Sequence, residues 1–456
     1  MTVIIQIAQF ILIISILVIL HELGHFIPAK LFKTKVEKFY LFFDYKFSLF
    51  KKKIGDTVYG IGWIPFGGYV KIAGMIDESM DMGQMKKPPK SWEFRSKPAW
   101  QRFIIMIGGV TVNFLLAWFL YTILLSTKGE TFIDNSKLTN GIYVDEIGEK
   151  LGLKKGDKVV SVDGKSINKF MDASYDYLSD NVPLNILLGD EMTVNRNGKM
   201  VTFPLKDEIK KLVLKSQGKS FISPAFHPFI GVVKEESPAS KGDLKSGDQI
   251  ISINNSKIMA WDELVHFIKK NKNDTLNISV LRNNNPVALK VAVPDSAIIG
   301  IGLGYENMNK YVKENFITHN EYSFGASIPK GFSKTINNLT NQVRQFKLIF
   351  NKKTEGYKKV KGPIGIVSQM PKAWNWTFIW YFTAMFSVWL AFLNLLPIPA
   401  LDGGHIVFLL YEMISGRPPS QKVMEIAQIA GFFFILAIMA LVFGNDLYNV
   451  FLNIFK

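Results

Sequence analysis

Four apolar runs constrain this chain more than any other feature: Val3 to Leu20, Phe103 to Leu125, Trp376 to Leu396 and Ile426 to Phe443. Each approaches the roughly 20 residues that a helix needs to cross the hydrocarbon of a bilayer. Backbone polar groups in lipid must be satisfied within their own segment, so such runs span as helices. The expected fold is therefore a polytopic α-helical membrane protein with four transmembrane helices. Of the 456 residues 48% are hydrophobic, too apolar for an ordinary soluble chain, yet 20% are charged, so part of the protein must stand in water. The absence of cysteine excludes disulfides, thiolate zinc sites and a Cys nucleophile, and any metal must be held by His, Asp or Glu.

Charge orients the spans. Nothing charged precedes the first run, whereas Lys30, Lys33, Lys35, Lys38 and the triplet Lys51 to Lys53 follow it, which places the residues after it in the cytoplasm and the N-terminus outside. Arg102 before the second run, with Arg417 and Lys422 between the third and fourth, agrees. The stretch between the second and third runs then lies outside the cytoplasm together with both termini. Met1 to Ile11 offers neither a basic n-region nor a small-residue cleavage site, so the first run reads as a retained anchor. The net charge of +16 points to membrane lipids as partners and not to nucleic acid, because no basic motif with a base-reading context accompanies it.

The water-exposed stretch is duplicated. Leu153 to Ile167 reads LKKGDKVVSVDGKSI and Leu244 to Ile258 reads LKSGDQIISINNSKI, the same pattern at a constant offset of 91 residues. In each copy a Gly-Asp turn leads into an alternating apolar strand and then a polar turn, and a glycine-led strand (from Gly141 or Gly231) lies upstream. The pattern resembles tandem PDZ domains, two inserted β-rich units that either take an extended peptide as an added strand or only space and filter what approaches. Pro238 in the second copy has no counterpart in the first. The expected divisions are 1–127, 128–215, 216–310, an amphipathic linker over 311–375, and 376–456. Within that linker, the basic and mixed-polarity stretch Tyr322 to Met370 suggests a helix lying on the outer leaflet, or a solvated linker.

The first run continues directly into HELGH. His21 and His25 stand four apart, on one helical face, the spacing that puts two imidazoles on one zinc ion, with Glu22 beside them free of the metal. Ionisable groups abutting a membrane span are costly and point to function. Hydrolytic zinc usually takes three protein ligands, and the candidates for the third stand together in FLNLLPIPALDGGH: Asp402 and His405. Val58 to Ile72, VYGIGWIPFGGYVKI, alternates glycine with β-formers and is too short to span, so it is expected to form a membrane-associated β-hairpin or re-entrant strand pair near the cytoplasmic face. There it could hold an extended substrate by β-augmentation.

HELGH at a first span, the FGGYVKIAG segment, tandem PDZ-like repeats and LNLLPIPALDGGH before a last span together resemble the site-two protease family of zinc intramembrane proteases. The resemblance covers nearly the whole chain in order. It implies one zinc ion (Zn2+) bound by His21, His25 and Asp402, Glu22 as general base, and His405 as a neighbour. It further implies substrate contacts by Asn394, Pro397, Pro399, Gly67 and Gly68, although the Asn394 amide could equally satisfy a neighbouring helix. The implied activity is zinc-dependent cleavage within the transmembrane segments of single-span proteins in the bacterial inner membrane. Trimmed anti-sigma factors and signal-peptide remnants are the implied examples, with the active site near the cytoplasmic side. The alternative is an inactive PDZ scaffold that binds envelope proteins. One departure stands out: where the family has Gly-Pro followed by Asn, this chain has Gly109, Val110 and Asn113.

Overall fold

A computed structural model describes residues 2–75, 88–172, 181–216 and 221–454. Among these, four helices are long and apolar enough to cross a membrane, in the places the apolar runs predict. The chain is a multi-pass membrane protein. Its first helix, α1 (Thr2–Leu31), extends past the apolar run and carries HELGH without a break. The second, α2 (Ala99–Lys128), follows Pro98, whose fixed φ suits a helix entry. After the β-rich insertion come α3 (Phe324–Phe350) and α4 (Trp376–Leu395), the latter capped by the Asn375 side chain accepting from the Phe378 N–H. A short helix, α5 (Asp402–Ser415), leads to α6 (Gln421–Ile454).

The closest helix crossing joins α1 and α2. A Cβ on Gly24 would lie 2.4 Å from the Gly108 carbonyl oxygen, and one on Gly108 would lie 2.0 Å from the Gly24 carbonyl oxygen. Backbone meets backbone here, as small residues allow in membrane helices, where packing and not hydrophobicity drives association.

Between α1 and α2 lies a four-stranded sheet of β1 (Val36–Phe43), β2 (Phe50–Ile54), β3 (Thr57–Ile61) and β4 (Ile64–Ile72), in the order β2-β3-β1-β4. The segment Val58 to Ile72 does supply two strands, as expected, but they do not pair with each other. β1 is inserted between them, parallel to β3 and antiparallel to β4. The hairpin is instead β2–β3, closed by Gly55-Asp56. This leaves β4 as an edge of the sheet, and it packs on α1 while Val36, Val70 and Ile72 share a core with Ile105 and Met106 of α2.

The insertion contains two β-rich units whose equivalent residues do equivalent work. In the first, Asp157 accepts from Arg196 through Nε at 2.8 Å and Nη2 at 2.7 Å, and from the Lys154 N–H. In the second, Asp248 accepts from Arg282 through Nε and Nη2 at 2.8 Å, and from the Lys245 N–H. Both aspartates are 1% exposed, so the Gly-Asp of each repeat is a buried, bidentate ion pair holding a turn against a strand. Each unit has its own apolar core; the first also draws on Phe221, Ile222 and Phe316. Glu130–Asp134 pairs with Ile317–Asn320 on one side and Lys169–Asp172 on the other, so the entry and exit of the insertion are stitched together at the end of α2.

The stretch Tyr322 to Met370 contains α3. α3 packs along α2 and turns its polar face inward: Ser327, Gly331, Thr335, Asn338, Asn341 and Gln342 are buried, while Phe324, Ile328, Phe332 and Ile336 are exposed. The Asn338 amide bonds the Tyr121 hydroxyl at 2.5 Å and the Trp118 indole N–H donates to the Ile328 carbonyl. Such inward polar contacts are worth roughly 0.6–2 kcal/mol each between membrane helices.

Replacing Gly108 by alanine should force α1 and α2 apart and cost about 1–3 kcal/mol or more, since neither carbonyl can rotate away. Thermal unfolding in detergent should show a clear loss for Gly108→Ala and little change for Gly325→Ala, a helical glycine whose surroundings are open.

Candidate metal centre

The α1–α2 crossing places the two HELGH imidazoles against α2. Gly109 is their floor: a Cβ there would lie 2.4 Å from His25 Nε2 and 2.6 Å from His21 Cε1. His25 Nδ1 stands 2.8 Å from the Ile105 carbonyl oxygen, which can only accept, so the ring carries its proton on Nδ1 and keeps the Nε2 lone pair free. The Asn113 amide lies 3.1 Å from His21 Nδ1 and is fully buried. With nitrogen toward the ring, its oxygen has no partner. With oxygen toward the ring, His21 Nδ1–H donates to it and His21 Nε2 is likewise left free. The Ser387 hydroxyl on α4 donates to the Asn113 backbone carbonyl at 2.7 Å and ties a third helix to the same point.

Asp402 arrives from the far end of the chain. α4 ends at Leu395, and the turn through Pro397 and Pro399 folds back so closely that a Cβ on Gly403 would lie 2.1 Å from the Leu396 carbonyl oxygen and one on Gly404 2.6 Å from Pro399 Cα. Ala400 holds φ +82°, a left-handed conformation unusual for alanine that marks local strain beside the aspartate. Asp402 then opens α5 with its Oδ2 aimed at both imidazoles.

The three ligand atoms form a nearly equilateral triangle. His21 Nε2 to His25 Nε2 is 3.3 Å, His21 Nε2 to Asp402 Oδ2 is 3.4 Å, and His25 Nε2 to Asp402 Oδ2 is 3.3 Å. Donors bonded at about 2.0–2.1 Å to one tetrahedral zinc ion stand roughly 3.3–3.4 Å apart, so the spacing and the donor set both fit zinc. Buried Asp402 Oδ2 lacks a hydrogen-bond donor, as a carboxylate oxygen reserved for a cation would. Among the described residues these three form the only group of ligating side chains so arranged.

The triangle opens on a cavity of about 710 Å³. Its lining includes Glu22 and Val70 of β4, together with Gly67, Gly68, Asn394 and His405. The Asn394 amide reaches to 3.2 Å from His21 Nε2. Pro397 and Pro399 are absent from the lining; they shape the turn that delivers Asp402, and Ala400 and Leu401 face the cavity instead. Sequence reasoning did not single out Gln428 of α6, which is buried and also lines the cavity; a glutamine inside an apolar run was its available signal.

Asn113→Ala should leave His21 free to rotate and weaken metal binding by about 10–100-fold without unfolding the bundle. Competition with a chelator, read as retained metal per chain, measures this; unchanged retention would show that Asn113 does not orient the ring.

Comparison with known proteins places this arrangement. A regulator of sigma E protease from Salmonella typhi is 25% identical over 464 residues, covering 97% of this chain and 98% of that protein. A Vibrio cholerae protein that carries the provisional name of zinc metalloprotease is 27% identical over 457 residues, covering 96% and 97%. The family model described as peptidase family M50 matches residues 9–438. Spanning four apolar helices and carrying a His-His-Asp cluster with zinc spacing, the chain belongs to peptidase family M50, the zinc metalloproteases.

Proposed function

We propose that this protein hydrolyses peptide bonds inside the transmembrane segments of single-span membrane proteins, using one zinc ion held by His21, His25 and Asp402. The observation that carries the reading is the juxtaposition of the ligand triangle, Glu22 and the edge strand β4 in one cavity at the end of a membrane span. Bound there, zinc would supply Lewis acidity and a water with a pKa lowered to about 7.

The protein's own residues perform the rest. A substrate helix hides its peptide groups in i to i−4 hydrogen bonds, so a protease must first hold it extended. β4 offers the means: it lies at the sheet edge, its Gly67 and Gly68 keep side chains out of the cavity, and an added strand there would run beside the triangle. The Asn394 amide is placed to bond a backbone carbonyl of the unwound strand. Glu22 takes the proton from the attacking water and returns it to the leaving amine nitrogen. Asp402 and the two imidazoles hold the metal, while Ile105 and Asn113 hold the imidazoles.

The basic stretch after α1 supports an orientation with the triangle near the cytoplasmic side and the β-rich insertion outside, in a bacterial inner membrane. The two units act as PDZ-like modules that screen substrates before they reach the cavity. The Salmonella relative's name, regulator of sigma E protease, is in keeping with trimmed anti-sigma factors as one substrate class; signal-peptide remnants are a second class that rests on the family resemblance alone. A scaffold without activity would have no use for a base beside an intact ligand triangle.

The decisive assay compares wild type with Glu22→Gln on pre-trimmed single-span reporters in membranes, with zinc content measured in parallel. We expect both proteins to hold about one zinc per chain and only wild type to cleave, with Glu22→Gln slowed by roughly 10²–10⁴. Equal cleavage by both would remove Glu22 from the mechanism, and zinc retention without cleavage of any reporter would favour the scaffold.

A further inference from the structure

The apolar run of the last span carries a glutamine. Ile426, Ile429, Phe433 and Phe434 of α6 are exposed, as side chains that face lipid are, and in the described part of α6 only Gln428, Gly431 and Asp446 are buried. Two of these have evident structural roles. Asp446 accepts from the backbone N–H groups of Gly362, Ile364 and Gly365 at 2.9, 3.0 and 3.1 Å, which ties α6 to the start of the short helix Pro363–Val367. Gly431 lies so close to the turn before α5 that a Cβ on it would overlap the Pro399 carbonyl oxygen. Gln428 is 8% exposed and makes no hydrogen bond with the described residues, although a buried amide without a partner is costly in a membrane span.

That amide lines the cavity of the ligand triangle, and among the described residues it is the one contribution of α6 to the lining. Gly431 stands three positions further along, on the same helical face, so its contact with Pro399 sets Gln428 beside the turn that delivers Asp402. The cavity therefore offers backbone-binding groups from separate elements: β4 with Gly67 and Gly68, and the amides of Asn394 on α4 and Gln428 on α6. An extended chain carries donors and acceptors along both of its edges, and a strand added to β4 would use only one of them. Its other edge would face span helices, whose backbone groups are already paired and whose surroundings are lipid. A carboxamide supplies one donating and one accepting group, the complement of a peptide unit, without the cost of burying a charge.

We propose that the Gln428 carboxamide binds the substrate backbone along the edge turned away from β4, so that the unwound segment is held from both sides. The proposal rests on the reading of this cavity as a peptide-binding site. A helical substrate keeps the same groups in its own i to i−4 bonds and offers Gln428 nothing, so the amide favours the extended form. Peptides of different sequence share that backbone edge, and the contact therefore adds affinity without preference for particular side chains.

The test uses the full-length, zinc-loaded protein in detergent and a pre-trimmed single-span reporter peptide. Affinity is titrated in the Glu22→Gln background, where no turnover intervenes, and cleavage is read with Glu22 intact. Gln428→Met removes the amide at nearly constant volume. Its zinc content should match that of the parent, and its unfolding temperature should be equal or higher, because an apolar side chain replaces an unpaired buried amide. Its affinity for the reporter should fall about fivefold to tenfold. Reporters in which a single backbone amide is replaced by an ester, moved residue by residue through the cleaved region, locate the contact. At one position the ester should weaken binding when Gln428 is present and have no further effect in Gln428→Met, a coupling that a structural residue would not produce. Equal affinity of the two proteins for the all-amide reporter, or the same ester penalties in both at every position, would overturn the contact. The two readings fail separately. Glu22-dependent cleavage with Gln428-independent binding would keep the protease and remove the contact, whereas Gln428-dependent binding without cleavage would keep the contact and remove the protease.

Discussion

The contact between the backbones of α1 and α2 at Gly24 and Gly108 sets the rest of the structure. It brings the Ile105 carbonyl within reach of His25 and the Asn113 amide within reach of His21, and it makes Gly109 the floor beneath both rings. Any larger residue at the crossing would move the partners that define each imidazole's tautomer, so the chemistry of the histidines depends on the absence of side chains one turn away. A metal site built this way is preorganised by packing: the ligands are oriented by groups that have no other freedom.

A membrane protease faces opposed demands, since lipid favours closed backbone hydrogen bonding while hydrolysis needs an open peptide and water. Here the two are separated within a short distance. The helices satisfy their own backbones, while β4 stands at an edge of the four-stranded sheet formed by the described residues and lines the cavity. β1 pairs with both β3 and β4 and so separates the two strands of this segment, with β4 at the edge.

The insertion and α3 illustrate a different economy. Each β-rich unit closes its Gly-Asp turn with a buried aspartate–arginine pair, so duplication copied the ion pair along with the turn. α3 mixes the two kinds of contact: buried polar residues such as Asn338 meet α2, Phe332 lies edge-on to Phe114 and Trp118 of α2, and Phe324, Ile328 and Ile336 are exposed.

The sequence by itself determined the number of spans, the duplication in the insertion and the presence of a hydrolytic metal motif. Those features are local: a run of apolar residues, a constant offset, and two histidines four apart. It also brought forward Asp402 and His405 through LDGGH, while the choice of Asp402 and the notice of Asn394 came from the family resemblance. Only the tertiary structure decided that three ligand atoms from residues 21, 25 and 402 meet at 3.3–3.4 Å, that Asn113 and Ile105 orient the rings, that Pro397 and Pro399 shape a turn instead of lining the cavity, and that β4 is an edge. The reason is physical: each depends on contacts between segments tens to hundreds of residues apart, and those are set by how closely backbones pack, which no local periodicity records.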